Sequence, residues 1–236
     1  VWFSSGIHHH YSTDKFLPDF TESFLENAVK SVDASSLPLE KGQSVEELCN
    51  EIFPVIFNAD ILQKRVNQAD GEDLVVTSAS NYYVGVTQKE AEDFYSSMKS
   101  QDDDCPVMFG MNSRLVKEGG EIKEVVWKVG GEYGRAIEKI VFWLEKAMSV
   151  AENGTQKEVI RLLIDFYRTG DLKVFDDYSI QWIKDTESMV DFVNGFIESY
   201  GDPLGLKASW ESIVNFKDIE ATRRTEIISE NAQWFE

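Results

Sequence analysis

Apolar positions along this chain recur with two periods, and the places where the period changes divide it into elements. From residue 21 the period is helical. Phe24, Leu25, Ala28 and Val29 share one face, and Thr21 stands where a hydroxyl can cap the first free N–H groups. Ser44 and Glu47 have capping-box spacing ahead of Leu48, Ile52, Val55 and Ile56. Pro54 within that run predicts a bend or an end, because its nitrogen carries no hydrogen. A further turn is predicted from Asp60 through Leu62 and Val66, and the polar run 67–73 is expected to be exposed.

The period then shortens. Leu74-Val75-Val76-Thr77 and Tyr82-Tyr83-Val84-Gly85-Val86 are β-branched or aromatic and read as extended segments. Thr87 caps a predicted helix from Gln88 through Met98, with Ala91, Phe94 and Tyr95 inward. Residues 111–117 and 121–129 flank Gly119-Gly120, which predicts a β-hairpin. From Glu132 the period is helical again, with Tyr133, Ile137, Ile140, Leu144 and Met148 on one stripe and Gly154 as the expected stop. A second helix carries Val159, Leu162, Leu163, Phe166 and Tyr167 to about Gly170, and a third holds Phe175, Tyr178 and Trp182. Trp210, Ile213, Val214 and Phe216 look extended, and Asp218 caps a last helix. The fold class is therefore α+β, predominantly helical with a small antiparallel sheet or partial barrel.

One stretch fits neither period. Residues 191–205 pack Gly195, Gly201, Gly205 and Pro203 among Asp191, Glu198 and Asp202. Glycine permits angles other residues avoid, and proline restricts its own φ and the residue before it. The stretch reads as a strand or bend with side chains aimed at something, or as a tight turn between packed elements.

Composition narrows the partners. The 236 residues suffice for one large domain or two small ones, and 42% hydrophobic residues exclude general disorder. A formal net charge of -19 argues against nucleic acid and anionic membrane surfaces as partners, and would suit a cationic ligand such as a peptide amino terminus. No apolar run reaches membrane-spanning length, so this segment is not expected to insert in a bilayer. Cys49 and Cys105 are too few for a thiolate zinc cluster. The opening Val1-Trp2-Phe3 reads as the middle of a longer protein, which leaves the compartment open.

No complete catalytic machine is visible. His8, His9 and His10 are the only histidines, so His-Glu-x-x-His cannot occur. Along an extended segment only His8 and His10 point the same way, short of the three protein ligands of a catalytic zinc. A polar loop or cleft wall suits the triplet better. The acidic run 101–104 lacks the glycine turn and closing glutamate of a calcium loop. Asp191 and Glu198 could pair for acid–base work, but among 42 acids such pairs arise by chance.

The run Asn194-Gly195-Phe196-Ile197-Glu198-Ser199-Tyr200-Gly201-Asp202-Pro203-Leu204-Gly205 resembles a signature of the dipeptidyl peptidase III family of zinc metallopeptidases. Residues 6–18, 82–86, 112–115 and 136–147 agree in the same order, and residues 6–12 and 225–229 resemble the bacterial branch. The resemblance implies a two-lobed enzyme that releases dipeptides from the amino end of oligopeptides. Its upper lobe carries zinc on a His-Glu-x-x-Gly-His helix plus a further glutamate; its lower lobe mixes helices with a β-barrel and helps to bind the peptide. No such zinc helix occurs in this sequence. Residues 1–236 are thus implied to be a single domain or lobe fragment, mostly the lower lobe, with the last helix from about 218 leading toward the zinc lobe.

On that reading the chain is the substrate-binding portion of the enzyme and inactive alone. It holds no catalytic or metal residue, and zinc belongs to the full-length protein. Its partners are an oligopeptide and the remainder of the same polypeptide. The implied substrate contacts are Asp191, for the peptide's amino end, with Asn194, His10, Tyr11, Ser12 and Thr13. Gly195, Glu198, Asp202 and Pro203 are expected to shape the turn. The better-known eukaryotic members carry glutamate at the Asp191 position and an assisting tyrosine where Val193 stands, so that tyrosine's role does not carry over. The alternative is a non-catalytic peptide-binding domain on the same scaffold.

Overall fold

A computed structural model of the chain describes residues 6–9, 14–99 and 107–235. The first helices are α1 (Glu22–Ser31) and α2 (Val45–Phe57), started by Thr21 and by a complete Ser44–Glu47 capping box. Pro54 does not end α2. It sits in the last turn, and the Asn58 N–H returns to its carbonyl at 3.0 Å, so the helix runs three residues past it.

The stretch Leu74–Thr77 is a turn rather than a strand. The Asp73 carboxylate accepts from the N–H groups of Val75 and Val76, both at 3.0 Å, and from that of Gln88, while the Thr77 N–H reaches the Asp73 carbonyl. A short acidic side chain here outcompetes the β-branched preference by offering the backbone local acceptors. Asn67 is buried, not exposed, because its amide is held by Glu72 and Thr77. Strand β1 (Tyr83–Val84) is short, and the capping box Thr87–Glu90 then starts α3 (Gln88–Met98).

The hairpin forms as expected, with β2 (Ser113–Glu118) and β3 (Glu121–Val126) in register from Ser113↔Val126 to Glu118↔Glu121. Both turn glycines have positive φ, the geometry of a two-residue hairpin turn. Strand β1 joins β2 in parallel, which gives the order β1-β2-β3.

Helices α4 (Gly134–Ser149), α5 (Gly154–Thr169) and α6 (Leu172–Trp182) follow. Gly154 does not stop α4. Asn153 is the N-cap of α5, its side chain accepting from the Gln156 N–H, and Gly154 is the first helical residue. Helix α5 ends on Gly170 at φ 73°, where a Cβ would meet Val126 Cγ1 at 2.5 Å.

The chain then forms an antiparallel ribbon of β4 (Val190–Glu198) and β5 (Ser209–Phe216), and closes with α7 (Ile219–Glu230) and α8 (Ala232–Phe235). The main core lies where Ile137, Val141 and Leu144 of α4, Val159 to Tyr167 of α5, and Phe175 and Tyr178 of α6 meet Trp127 and Phe196. A second core gathers Tyr83, Ala91, Tyr95 and Leu115, and Tyr82 packs against both. Among the described residues no helix is long and apolar enough to cross a membrane.

Candidate functional site

The ribbon is the floor of a groove. Alternation along β4 sends Val190, Phe192, Asn194 and Phe196 toward the apolar part of the groove and Asp191, Val193 and Gly195 to the other side, and beyond a break in that alternation Glu198 lines the polar cleft. The pairing register slips between Phe196 and Glu198, so that Glu198 stands opposite Ser209. Strand β5 returns with Ser209, Trp210 and Glu211 beside it.

The polar end of the groove is a cleft of 1130 Å³ lined by His8, Leu62, Arg65, Asn81, Tyr82, Glu198, Tyr200, Ser209, Trp210 and Glu211, among others. Two adjoining chambers, of 570 and 420 Å³, continue it along α4. Their walls are mostly apolar: Tyr82, Trp127, Tyr133 and Ile137 in one, Trp143, Leu144, Phe192 and Val214 in the other. Trp210 borders all three spaces. Its indole N–H donates to the Tyr167 hydroxyl at 2.7 Å, that hydroxyl donates to the Asn194 carbonyl oxygen, and the Asn194 amide donates to Ser212 Oγ at 3.1 Å. This hydrogen-bonded line fixes the middle of the groove.

The cleft concentrates acid. The Glu198 carboxyl is pushed above the usual carboxylate range, first by its hydrogen bond with Glu211, then by partial desolvation, then by repulsion from that neighbour. Two carboxyl groups joined by a hydrogen bond need a proton between them, and a cation with several N–H donors can take that proton's place. The Tyr82 hydroxyl is also pushed up, chiefly by burial. His8 is buried and its Nε2 donates to the Leu62 carbonyl at 2.7 Å, so it forms a fixed wall. His9 packs against the ring of Phe16 at 5.4 Å.

The residues singled out by sequence distribute as follows. Asn194 and Glu198 face the groove. Asp191 is exposed on the opposite side of β4, where Trp182 Nε1 donates to it at 2.9 Å. Gly195 lies within the strand rather than in the turn. Its missing side chain lets β4 rest on Phe175, whose ring a Cβ would meet at 2.9 Å. Asp202 and Pro203 lie in the turn, and the Asp202 carboxylate accepts from the Tyr83 hydroxyl and from the N–H groups of Leu206 and Lys207 at 2.8–2.9 Å. Glu198 lines the cleft together with Glu211. His10, Tyr11, Ser12 and Thr13 lie outside the described residues.

Glu211, Trp210, Arg65 and Asn81 were not anticipated. For Glu211 a signal exists: it sits on the same face of β5 as Ser209, and the Gly/Pro-rich bend between it and Glu198 brings the two ends together.

The resemblance assigns zinc to the whole protein. Among the described residues no group of three or more His, Cys, Asp or Glu side chains is arranged to hold a metal ion.

Comparison with known proteins agrees with the fold. The family model described as Peptidase family M49 matches residues 56–235. Human dipeptidyl peptidase 3 is 25% identical over 91% of this chain and 32% of its own length. The structure of DPP III from Caldithrix abyssi superposes with a TM-score of 0.51 at 14% identity, covering 90% of this chain and 38% of that one. That of dipeptidyl-peptidase III from Corallococcus sp. strain EGB gives 0.51 at 18% identity, covering 91% and 37%. The chain thus spans about a third of the length of the human relative.

Proposed function

The chain belongs to peptidase family M49, and from that premise we propose that it is the substrate-holding part of a zinc-dependent dipeptidyl peptidase. The groove along β4 and β5 takes an oligopeptide. Its free amino end meets the Glu198–Glu211 pair, and the residues that follow lie toward Trp210 and the apolar chambers.

The observation that carries this reading is the acid pair at the polar end of the groove. A peptide ammonium offers three donors and no acceptor, which suits two neighbouring carboxyls. Asp191, the candidate by sequence, is engaged by Trp182, and Glu198 and Glu211 are the acids that line the cleft, so we assign the amino-end role to them. Trp210 and Tyr82 offer flat apolar walls beside the pair. Asn194 and Ser212 supply neutral hydrogen-bonding groups further along.

Zinc, with the Lewis-acid chemistry it would supply, would be held by another part of the polypeptide. This chain's share of the reaction is to bind and orient. The isolated chain is therefore expected to hydrolyse no dipeptidyl-arylamide, while the full-length polypeptide hydrolyses them and stops on metal chelation. Hydrolysis by the isolated chain in the presence of a chelator would remove this division of labour.

A further inference from the structure

One wall of the polar cleft is built apart from the rest of the molecule. Gly6, Ile7, His8, Leu62 and Arg65 line that wall, and residues of the β4–β5 ribbon line the other. Among the described residues, none from 6 to 66 joins either apolar core. Polar contacts hold the wall instead. Lys64 pairs with Ser78 by a single bridge, the Ala79 N–H donates to the Lys64 carbonyl at 2.9 Å, and the Asn67 N–H donates to Ser78 Oγ at 2.8 Å.

The shape of the wall depends on one turn. After α2 the chain passes through residues 58–62, and Leu62 sits at φ 48°, a left-handed conformation that costs energy in any residue with a branched side chain. Three carbonyls of that turn are taken by two side chains of the N-terminal arm. Lys15 Nζ donates to those of Asn58 at 2.6 Å and Ile61 at 2.7 Å, and His8 Nε2 donates to that of Leu62 at 2.7 Å. Both side chains reach the same turn because His8 and Lys15 are partners in an antiparallel bridge. The His9 N–H donates to the Asp14 carbonyl at 2.6 Å and the Phe16 N–H to the Ile7 carbonyl at 2.7 Å, and residues directly opposite project to one face. Asn58 is also the C-cap of α2, where a cation is favoured.

From this geometry we infer that His8 and Lys15 form a clasp on a wall of the cleft that opens separately. While the clasp is closed it holds Leu62 in its left-handed conformation; once it is released, residues 58–66 open without unfolding either core. A strained residue persists only where its surroundings over-determine it, and here the arm supplies those contacts. A segment outside the cores can open below the free energy of global unfolding. The clasp does not depend on what the cleft binds, so it stands apart from the amino-end reading.

The test is native-state hydrogen exchange on the full-length protein, with peptides covering residues 58–66 and α5 read in the same run. In the wild type the 58–66 peptide should exchange at least about tenfold faster than α5. Lys15→Met keeps the stem and removes the donors; it should speed exchange in 58–66 by about tenfold and leave α5 within about twofold. His8→Phe, which keeps a ring and removes one donor, should give a smaller rise of about threefold in the same peptide. Equal protection of 58–66 and α5 in the wild type would overturn the inference. So would variants that leave 58–66 unchanged, or that speed both peptides alike as global unfolding does.

Discussion

Glu198 and Glu211 line the same cleft at the end of the β4–β5 ribbon, and the neighbouring Glu211 carboxyl pushes that of Glu198 above its ordinary range. The slip in register at Phe196/Glu198 and the return of β5 place both at the polar end of a long, otherwise apolar groove.

This relationship sets a pH dependence for the full-length enzyme. A cation entering beside the pair favours both carboxyls in their charged form, so affinity for a free-amine peptide should rise as pH increases through and above the usual carboxylate range. It should fall again above about 8, where the peptide's own amine loses its charge. Steady-state kcat/KM for a free-amine dipeptidyl-arylamide should trace both limbs. Replacing Glu198 by Gln should flatten the acid limb; an acid limb of the same shape in that variant would count against a role for Glu198 at the amino end.

The same pair affects stability with a definite sign. Because Glu198 is raised in the folded state, the fold binds more protons than the unfolded chain just above the ordinary carboxylate pKa, and stability falls as pH rises through that window. Glu198→Gln should therefore melt no lower than wild type at neutral pH. A clear loss in Tm would mean the two carboxyls support the fold rather than strain it.

Asp191 gives the opposite expectation. Its carboxylate accepts from the Trp182 indole outside the groove, so Asp191→Ala should cost about 0.5–1.5 kcal/mol of stability, the usual net value of one hydrogen bond. It should leave the preference for free over acetylated amines unchanged. Chemical denaturation and the ratio of kcat/KM values for the two substrates read the two effects separately.

Lys207 predicts a trend at alkaline pH. It releases its proton near 8 in the fold, while an unfolded lysine holds it to about 10.4. Over that interval the unfolded chain binds more protons, so wild-type stability should rise relative to Lys207→Met. Paired melting curves between pH 8 and pH 10 check this: a gap that stays flat, or moves toward the variant, contradicts a buried, depressed lysine.

Much of the fold was legible in the sequence because its signals are local. Thr21, Ser44, Thr87 and Asp218 stand at helix starts, and each accepts from a backbone N–H three residues on. Gly119-Gly120 predicts the hairpin for the same reason. Where one motif serves two purposes, the local reading failed. Asn153-Gly154 can end one helix or begin the next, and the Asn153 side chain decides it by bonding forward to Gln156. Asp73 likewise turned a β-branched run into a bend.

The site was less legible. Asp191 and Glu198 are both acids near the signature, and only the side of β4 each one faces separates them. That depends on alternation, on the slip at Phe196/Glu198, and on Gly195 resting against Phe175. Glu211 is one acid among many until β5 pairs with β4.

The most direct test of the central claim is a double-substitution cycle on Glu198 and Glu211 in the full-length enzyme, reading KM for a free-amine dipeptidyl-arylamide and for its N-acetylated form. Each Glu→Gln change should raise the free-amine KM by about tenfold, the double change should add less than the product of the two, and the acetylated substrate should respond to neither. Equal losses on both substrates, or strictly multiplicative effects of the two changes, would contradict the claim that this pair grips the amino end of the peptide.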